Sequence, residues 1–195
     1  MISKLDTTVI AIGASTGGTE AILRVIQKLP KDTPGIVVVQ HMPEGFTAMY
    51  AERLNKICEM DVKEAEDGDR IRRGLVIIAR GDIHMEVAGS PGAYRVVLKG
   101  GEKVSGHRPS VDVLFESVAR TVKKNAVGII LTGMGRDGAE GLLKMRENGA
   151  FTIGQDEQSS VVYGMPMVAF QKGAVVKQAS CDNIAGVLMD YLSRL

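Results

Sequence analysis

Three short segments hold the residue types that do chemistry: Gly13-Ala-Ser-Thr-Gly-Gly18, Gln40-His-Met-Pro43 and Leu131-Thr-Gly-Met-Gly-Arg-Asp-Gly138. Between them they supply Ser15, His41 and Asp137, the side-chain types of a nucleophile, a general base and an orienting acid in acyl transfer. Gly13 to Gly17 fits G-x-S-x-G, a sharp strand-to-helix turn that exposes a serine hydroxyl. The same turn leaves the Thr16 amide at a helix N-terminus, where it can meet developing oxyanion charge. Each residue also has a plainer reading. A glycine-rich turn can cradle a phosphate, His41 alone serves equally well as a core histidine, and an aspartate just before a helix is an ordinary N-cap. The order Ser…His…Asp differs from the Ser…Asp…His of α/β-hydrolases, so this would be a separate arrangement of the triad.

A rival motif shares the third segment. Gly133-Met-Gly-Arg-Asp-Gly138 matches G-x-G-x-x-G, follows a strand, opens a helix and has Asp156 about 20 residues on, as a dinucleotide fingerprint would. Asp137 would then put a carboxylate where pyrophosphate belongs, and Ser15 and His41 would have no task. The alternative function is therefore a non-enzymatic nucleotide-binding module built on the Gly-rich strand ends. His84 and His107 are too scattered for a metal set and read as polar loop residues, so neither metal nor cofactor is expected. Met42, Met134, Met165 and Met167 fall near the three segments and suit either an adaptable apolar rim or core filling.

The segments follow buried strands in a chain that alternates strands with helices. Thr8–Ile12, Gly35–Gln40 and Ala126–Leu131 read as strands, with helices over 19–29, 44–58 and 137–147. Short strand-like runs fill the middle, at 62–65, 75–79, 85–87 and 94–98, and Ser90-Pro-Gly-Ala predicts an antiparallel hairpin between the last two. Ser110 caps an amphipathic helix through Val122. Further strands are expected at 150–153 and 174–176, and a last helix after Ser180. The fold class is α/β: a doubly wound, mostly parallel sheet with helices on both faces and a small antiparallel hairpin. Chemistry in such folds gathers at the carboxyl ends of the strands, and all three segments stand there.

Length and charge narrow the classes. At 195 residues and about 150 per domain, one domain over 1–195 is expected. Lys plus Arg number 24 against 23 Asp plus Glu, a net charge of +1, which argues against a nucleic-acid partner. No apolar stretch is long enough to span a membrane and no signal peptide is visible, so no membrane insertion is expected. Cys58 and Cys181 lie outside any C-x-x-C spacing and fit core thiols in a reducing cytoplasm.

Five blocks in order resemble the catalytic domain of the bacterial chemotaxis protein-glutamate methylesterases of the CheB type. They are 13–18, 40–43, Gly106-His-Arg-Pro-Ser-Val-Asp112, 131–138 and Ser160-Val-Val-Tyr-Gly-Met-Pro166. The resemblance runs from about Val9 to Leu192. It implies a carboxylic ester hydrolase that removes methyl esters from glutamates on the cytoplasmic signalling helices of chemoreceptors, releasing methanol, with glutamine deamidation as a second activity. It implies Ser15 as nucleophile, His41 as base, Asp137 as its partner, and the Thr16 and Met134 amides as oxyanion donors. Full-length members carry an N-terminal receiver domain phosphorylated by the chemotaxis histidine kinase. A receiver needs on the order of 100 residues, and the first strand begins within eight residues of Met1, so none is expected here. Ala79-Arg-Gly-Asp82 departs from the family, which more often has Pro before that Gly-Asp.

Overall fold

The structure, a computed structural model, describes residues 3–195. β1 (Val9–Ala14), β2 (Gly35–Gln40), β3 (Asp61–Glu64), β4 (Leu75–Ile78), β7 (Ala126–Ile130), β8 (Phe151–Gln155) and β9 (Lys177–Ala179) form one sheet. Its order is β3-β4-β2-β1-β7-β8-β9, and every pairing is parallel. β5 (His84–Ala88) and β6 (Arg95–Lys99) form the separate antiparallel hairpin, closed by the Ala93 amide donating to the Ser90 carbonyl at 2.8 Å.

The central strands are buried at every position because both faces are covered. Val9, Ala11, Val37 and Val39 point to one side, with α3 (Val111–Thr121), α4 (Ala139–Glu147), α5 (Met165–Gln171) and the hairpin. Ile10, Ile12, Ile36 and Val38 point to the other, with α1 (Gly18–Ile26), α2 (Phe46–Ile57) and α6 (Cys181–Leu192). The chain runs outward from β1 to one edge, then returns to lay β7 on the other flank of β1. Strand order reverses between β1 and β7, which opens a crevice at their carboxyl ends.

Three expectations need correcting. The last strand is Lys177–Ala179, not 174–176; Ala174 and Val175 are buried coil leading to a polar, exposed edge strand with no apolar signature. α5 has no counterpart in the sequence pattern: seven residues with Pro166 in the first turn show too little periodicity. α2 and α4 start two residues late because Gly45 and Gly138 take positive φ at their N-caps.

Candidate active site

The β-ladder continues past the strand ends and ties the three segments together. The Ser15 amide donates to the Thr132 carbonyl at 3.0 Å, and the His41 amide to the Ala14 carbonyl at 3.2 Å. Gln40, at the end of β2 and buried, donates from Nε2 to the Ser15 carbonyl at 2.9 Å. Its neighbour His41 is thereby held at the level of the serine turn. Thr132 links the opposite wall: its hydroxyl donates to the Thr16 carbonyl at 3.0 Å, and its amide to Gln155 Oε1 at 2.8 Å. Two glycines are set by this geometry. Gly17 has φ +79°, the left-handed turn into α1, and at Gly133 a Cβ would stand 2.8 Å from Ser15 Cβ. Neither the Thr16 nor the Met134 amide donates to another described residue.

His41 and Asp137, 96 positions apart, meet with Nε2 2.7 Å from Oδ2. His41 Nδ1 is buried and has no partner among the described residues, which leaves it as the free basic nitrogen. The ring is thus turned the opposite way from the familiar triad, in which Nδ1 faces the aspartate.

Asp137 is 1% exposed and does not cap its own helix. Gly138 is the N-cap of α4, and the Asp137 carboxylate instead faces the start of α3, accepting from Ser110 Oγ at 2.8 Å and from the Val111 and Asp112 amides at 2.8 and 2.9 Å. Asp112 returns the contact, accepting from the Gly141 amide of α4 at 2.8 Å. Burial pushes the Asp137 carboxyl upward, but the bonds from His41, Asp112, Val111 and Ser110 outweigh it and hold the group below its ordinary value. It is an ionised, fully bonded carboxylate aimed at the base.

A cleft of about 440 Å³ opens beside His41, lined by Met42, Glu44, Asp82, Lys103, His107 and Arg108 among others. Glu44 pairs with Arg80 and Asp82 with Arg108; Lys103 has no ion pair among the described residues. His107 stacks on His41, ring centroids 3.6 Å apart and planes 8° from parallel. This contact escaped the sequence reading, although the Gly106–Asp112 block held the residue. His84 is not a loop residue: it begins β5, is buried, and accepts at Nδ1 from the Ser110 amide while Nε2 donates to the Glu102 carbonyl. The methionines split. Met165 is core, Met134 is 65% exposed beside the serine turn, Met42 packs on the α1–α2–α6 core, and Met167 lines a second groove holding none of the expected site residues. Among the described residues no three His, Cys, Asp or Glu side chains group as metal ligands would.

The dinucleotide reading finds no support. The N-terminus of α4 is filled by the Asp112 carboxylate, and Asp156 is engaged by the Ser159 amide and hydroxyl. Gly133 is small because Ser15 lies against it.

A doubly wound α/β domain that gathers a serine turn and a part-buried histidine–aspartate pair at its switch point carries residue types that serine hydrolases use. The sequence model of the CheB methylesterase family matches residues 10–188, and the chain belongs to that family. A protein-glutamate methylesterase/protein-glutamine glutaminase of Sulfurimonas denitrificans is 62% identical over 192 residues, covering 98% of this chain and 54% of that protein. One of the same name from Escherichia coli O157:H7 is 52% identical over 184 residues, covering 94% and 53%. The chain therefore spans about half the length of the curated relatives it matches. The crystal structure of the Thermotoga maritima CheB methylesterase catalytic domain superposes with a TM-score of 0.92 at 37% identity, covering 97% of this chain and 100% of that one. No described helix is long and apolar enough to cross a membrane.

Proposed function

We propose that the chain is a catalytic unit that hydrolyses glutamate methyl esters on the signalling helices of chemoreceptors in the cytoplasm, releasing methanol, and that it also deamidates receptor glutamines. The observation that carries the reading is the 2.7 Å His41–Asp137 pair with a buried, unpartnered Nδ1, in a chain of this family.

Ser15 Oγ attacks the ester carbonyl while His41 Nδ1 takes its proton, and the Asp137 carboxylate stabilises the resulting imidazolium through Nε2. The free amides of Thr16 and Met134 receive the oxyanion. His41 then returns the proton to the departing methoxide, leaving a glutamyl ester on Ser15. Water, deprotonated by the same nitrogen, releases the glutamate and restores the serine. With a glutamine substrate the steps are identical and ammonia leaves. In longer relatives we place a phosphorylated receiver domain as the regulatory partner of this cleft.

Incubation with membranes carrying methyl-labelled receptors tests the reading. The chain should release labelled methanol, and Ser15→Ala should release none above background. Equal release by both proteins would remove Ser15 from the mechanism.

A further inference from the structure

An oxyanion donor works only if its N–H points at the place where charge develops. Thr16 and Met134 are both exposed, and the amide of each is one end of a peptide unit whose other end is a carbonyl. A trans peptide is planar, with C=O and N–H pointing opposite ways, so whatever grips the carbonyl aims the amide. Both carbonyls are gripped. In the Gly133–Met134 peptide, the Gly133 carbonyl accepts from the Met165 amide at 2.8 Å. In the Ser15–Thr16 peptide, the Ser15 carbonyl accepts from the Gly18 amide at 2.7 Å and from Gln40 Nε2 at 2.9 Å. Of these three donors only Gln40 is a side chain.

Gln40 makes that contact at a structural cost. It is 3% exposed, and its Oε1 is buried with no partner among the described residues. The Ser15 carbonyl and, at 3.4 Å, the His41 carbonyl face the other end of the amide, so turning the group over would set oxygen against oxygen. Folded proteins rarely leave a buried acceptor unpaired, because its lost hydration goes uncompensated. Gly18 makes room for the same group, since a Cβ there would strike Oε1. The rest of β2, Gly35-Ile-Val-Val-Val39, is glycine and apolar residues, and an apolar side chain at its end would leave no orphan oxygen. The Ser15 carbonyl does not need Gln40 for satisfaction, because the Gly18 amide already supplies a bond. What Gln40 adds is a second grip on one peptide plane.

We propose that Gln40 is a positioning residue for the oxyanion site: its side-chain amide holds the Ser15 carbonyl from behind and so fixes the Thr16 N–H toward the reacting carbonyl. Without it the plane can rock about the Gly18 bond, and the Thr16 amide loses its aim. The Met134 amide, whose carbonyl is held by backbone alone, is independent of Gln40.

This inference rests on the oxyanion role given to the Thr16 amide, and the test separates the two. Gln40→Met keeps an unbranched side chain without the donor, and the shorter Gln40→Leu is made beside it. Methanol release gives kcat and KM, thermal melting gives stability, and ¹⁵N NMR follows the Thr16 and Met134 amides before and after Ser15 takes a phosphonate. Loss of a whole oxyanion donor costs about 10²- to 10³-fold in kcat, so loosening one of two should cost about 10- to 100-fold, with KM within about threefold. The Met chain should melt no lower than the parent, because an unpaired buried oxygen has been removed. In the parent both amide signals should move downfield on labelling; in the Met chain the Thr16 response should shrink while that of Met134 persists. Unchanged kcat, a loss confined to KM, or a parent-like Thr16 response would each overturn the proposal. If the Met and Leu chains both melt well below the parent, Gln40 is a packing residue and the proposal fails. A parent chain that neither releases methanol nor takes the label would defeat the esterase reading. Relaxation of the two amides in the unlabelled chains then still decides whether Gln40 holds the Thr16 peptide, with exchange expected at Thr16 alone in the Met chain.

Discussion

Asp137 and Asp112 stand at the facing N-termini of α4 and α3, and each serves the other's helix. Asp137 precedes α4 and binds the first turn of α3; Asp112 lies in that first turn and binds the Gly141 amide of α4. Both positions place a carboxylate near the positive end of a helix. Their proton affinities nevertheless move in opposite directions. Asp137 gathers four hydrogen bonds and is held low. Burial raises Asp112, and the Gly141 bond does not offset that burial and the negative charge of Asp137 beside it. Helix capping alone therefore does not make a functional acid. In the proposed mechanism, the number of donors and the presence of His41 separate the carboxylate that orients the base from the one that only packs.

The sharpest contrast comes from removing what Asp137 serves. Ser15→Ala and His41→Ala should each lower turnover by on the order of 10⁶-fold, and the double variant should be no worse, because members of a triad act as a unit. Initial methanol release from all three chains checks this, and a double variant far below either single would break the shared mechanism.

Asp137→Asn comes next, with a loss of about 10²- to 10⁴-fold in turnover. Because the carboxylate receives donors at both oxygens, the Asn amide must face at least one of them. A stability loss of about 1–3 kcal/mol follows, which urea unfolding would measure. An aspartate that capped only its own helix would lose neither.

Acid unfolding separates the pair by sign. The Asp137 value lies below its ordinary 3.8, so its stabilisation is present above that pH and disappears as pH falls through the folded value. The Asp112 value lies above 3.8, so its ionisation costs stability as pH rises from there through the folded value. Asp137→Asn should therefore flatten the loss of stability below 3.8. Asp112→Asn should flatten the opposing trend above it. Melting temperatures across that range give both slopes, and like signs for the two variants would contradict the assignment.

The smallest effect is expected from Asp112→Asn at neutral pH. Its Oδ1 still accepts from Gly141 and a buried like charge is removed, so stability should stay level or rise by about 1 kcal/mol, with turnover within about threefold. A large loss of activity would make Asp112 part of the machinery.

What the sequence showed and hid follows the same physics. Strands buried on both faces, such as Gly35–Gln40, declare themselves through uninterrupted β-branched residues, and the segments after them could be read at once as strand-end loops. The three strand-end segments that carry Ser15, His41 and Asp137 stand out for that reason. Contacts made across the chain do not. The crossing of Asp112 and Asp137 depends on how α3 packs on α4, and local pattern suggested that Asp137 capped its own helix. His107 looked like a loop residue because nothing in Gly106-His-Arg shows which ring it covers. The edge strand β9 and short α5 lack the apolar periodicity that burial on two faces would impose.

Covalent labelling with a serine-directed phosphonate, read by peptide mass spectrometry, tests the central claim most directly. One label per chain should appear on Ser15, at a rate that collapses in His41→Ala and falls in Asp137→Asn. A label on another residue, or undiminished labelling of Ser15 without His41, would contradict the account.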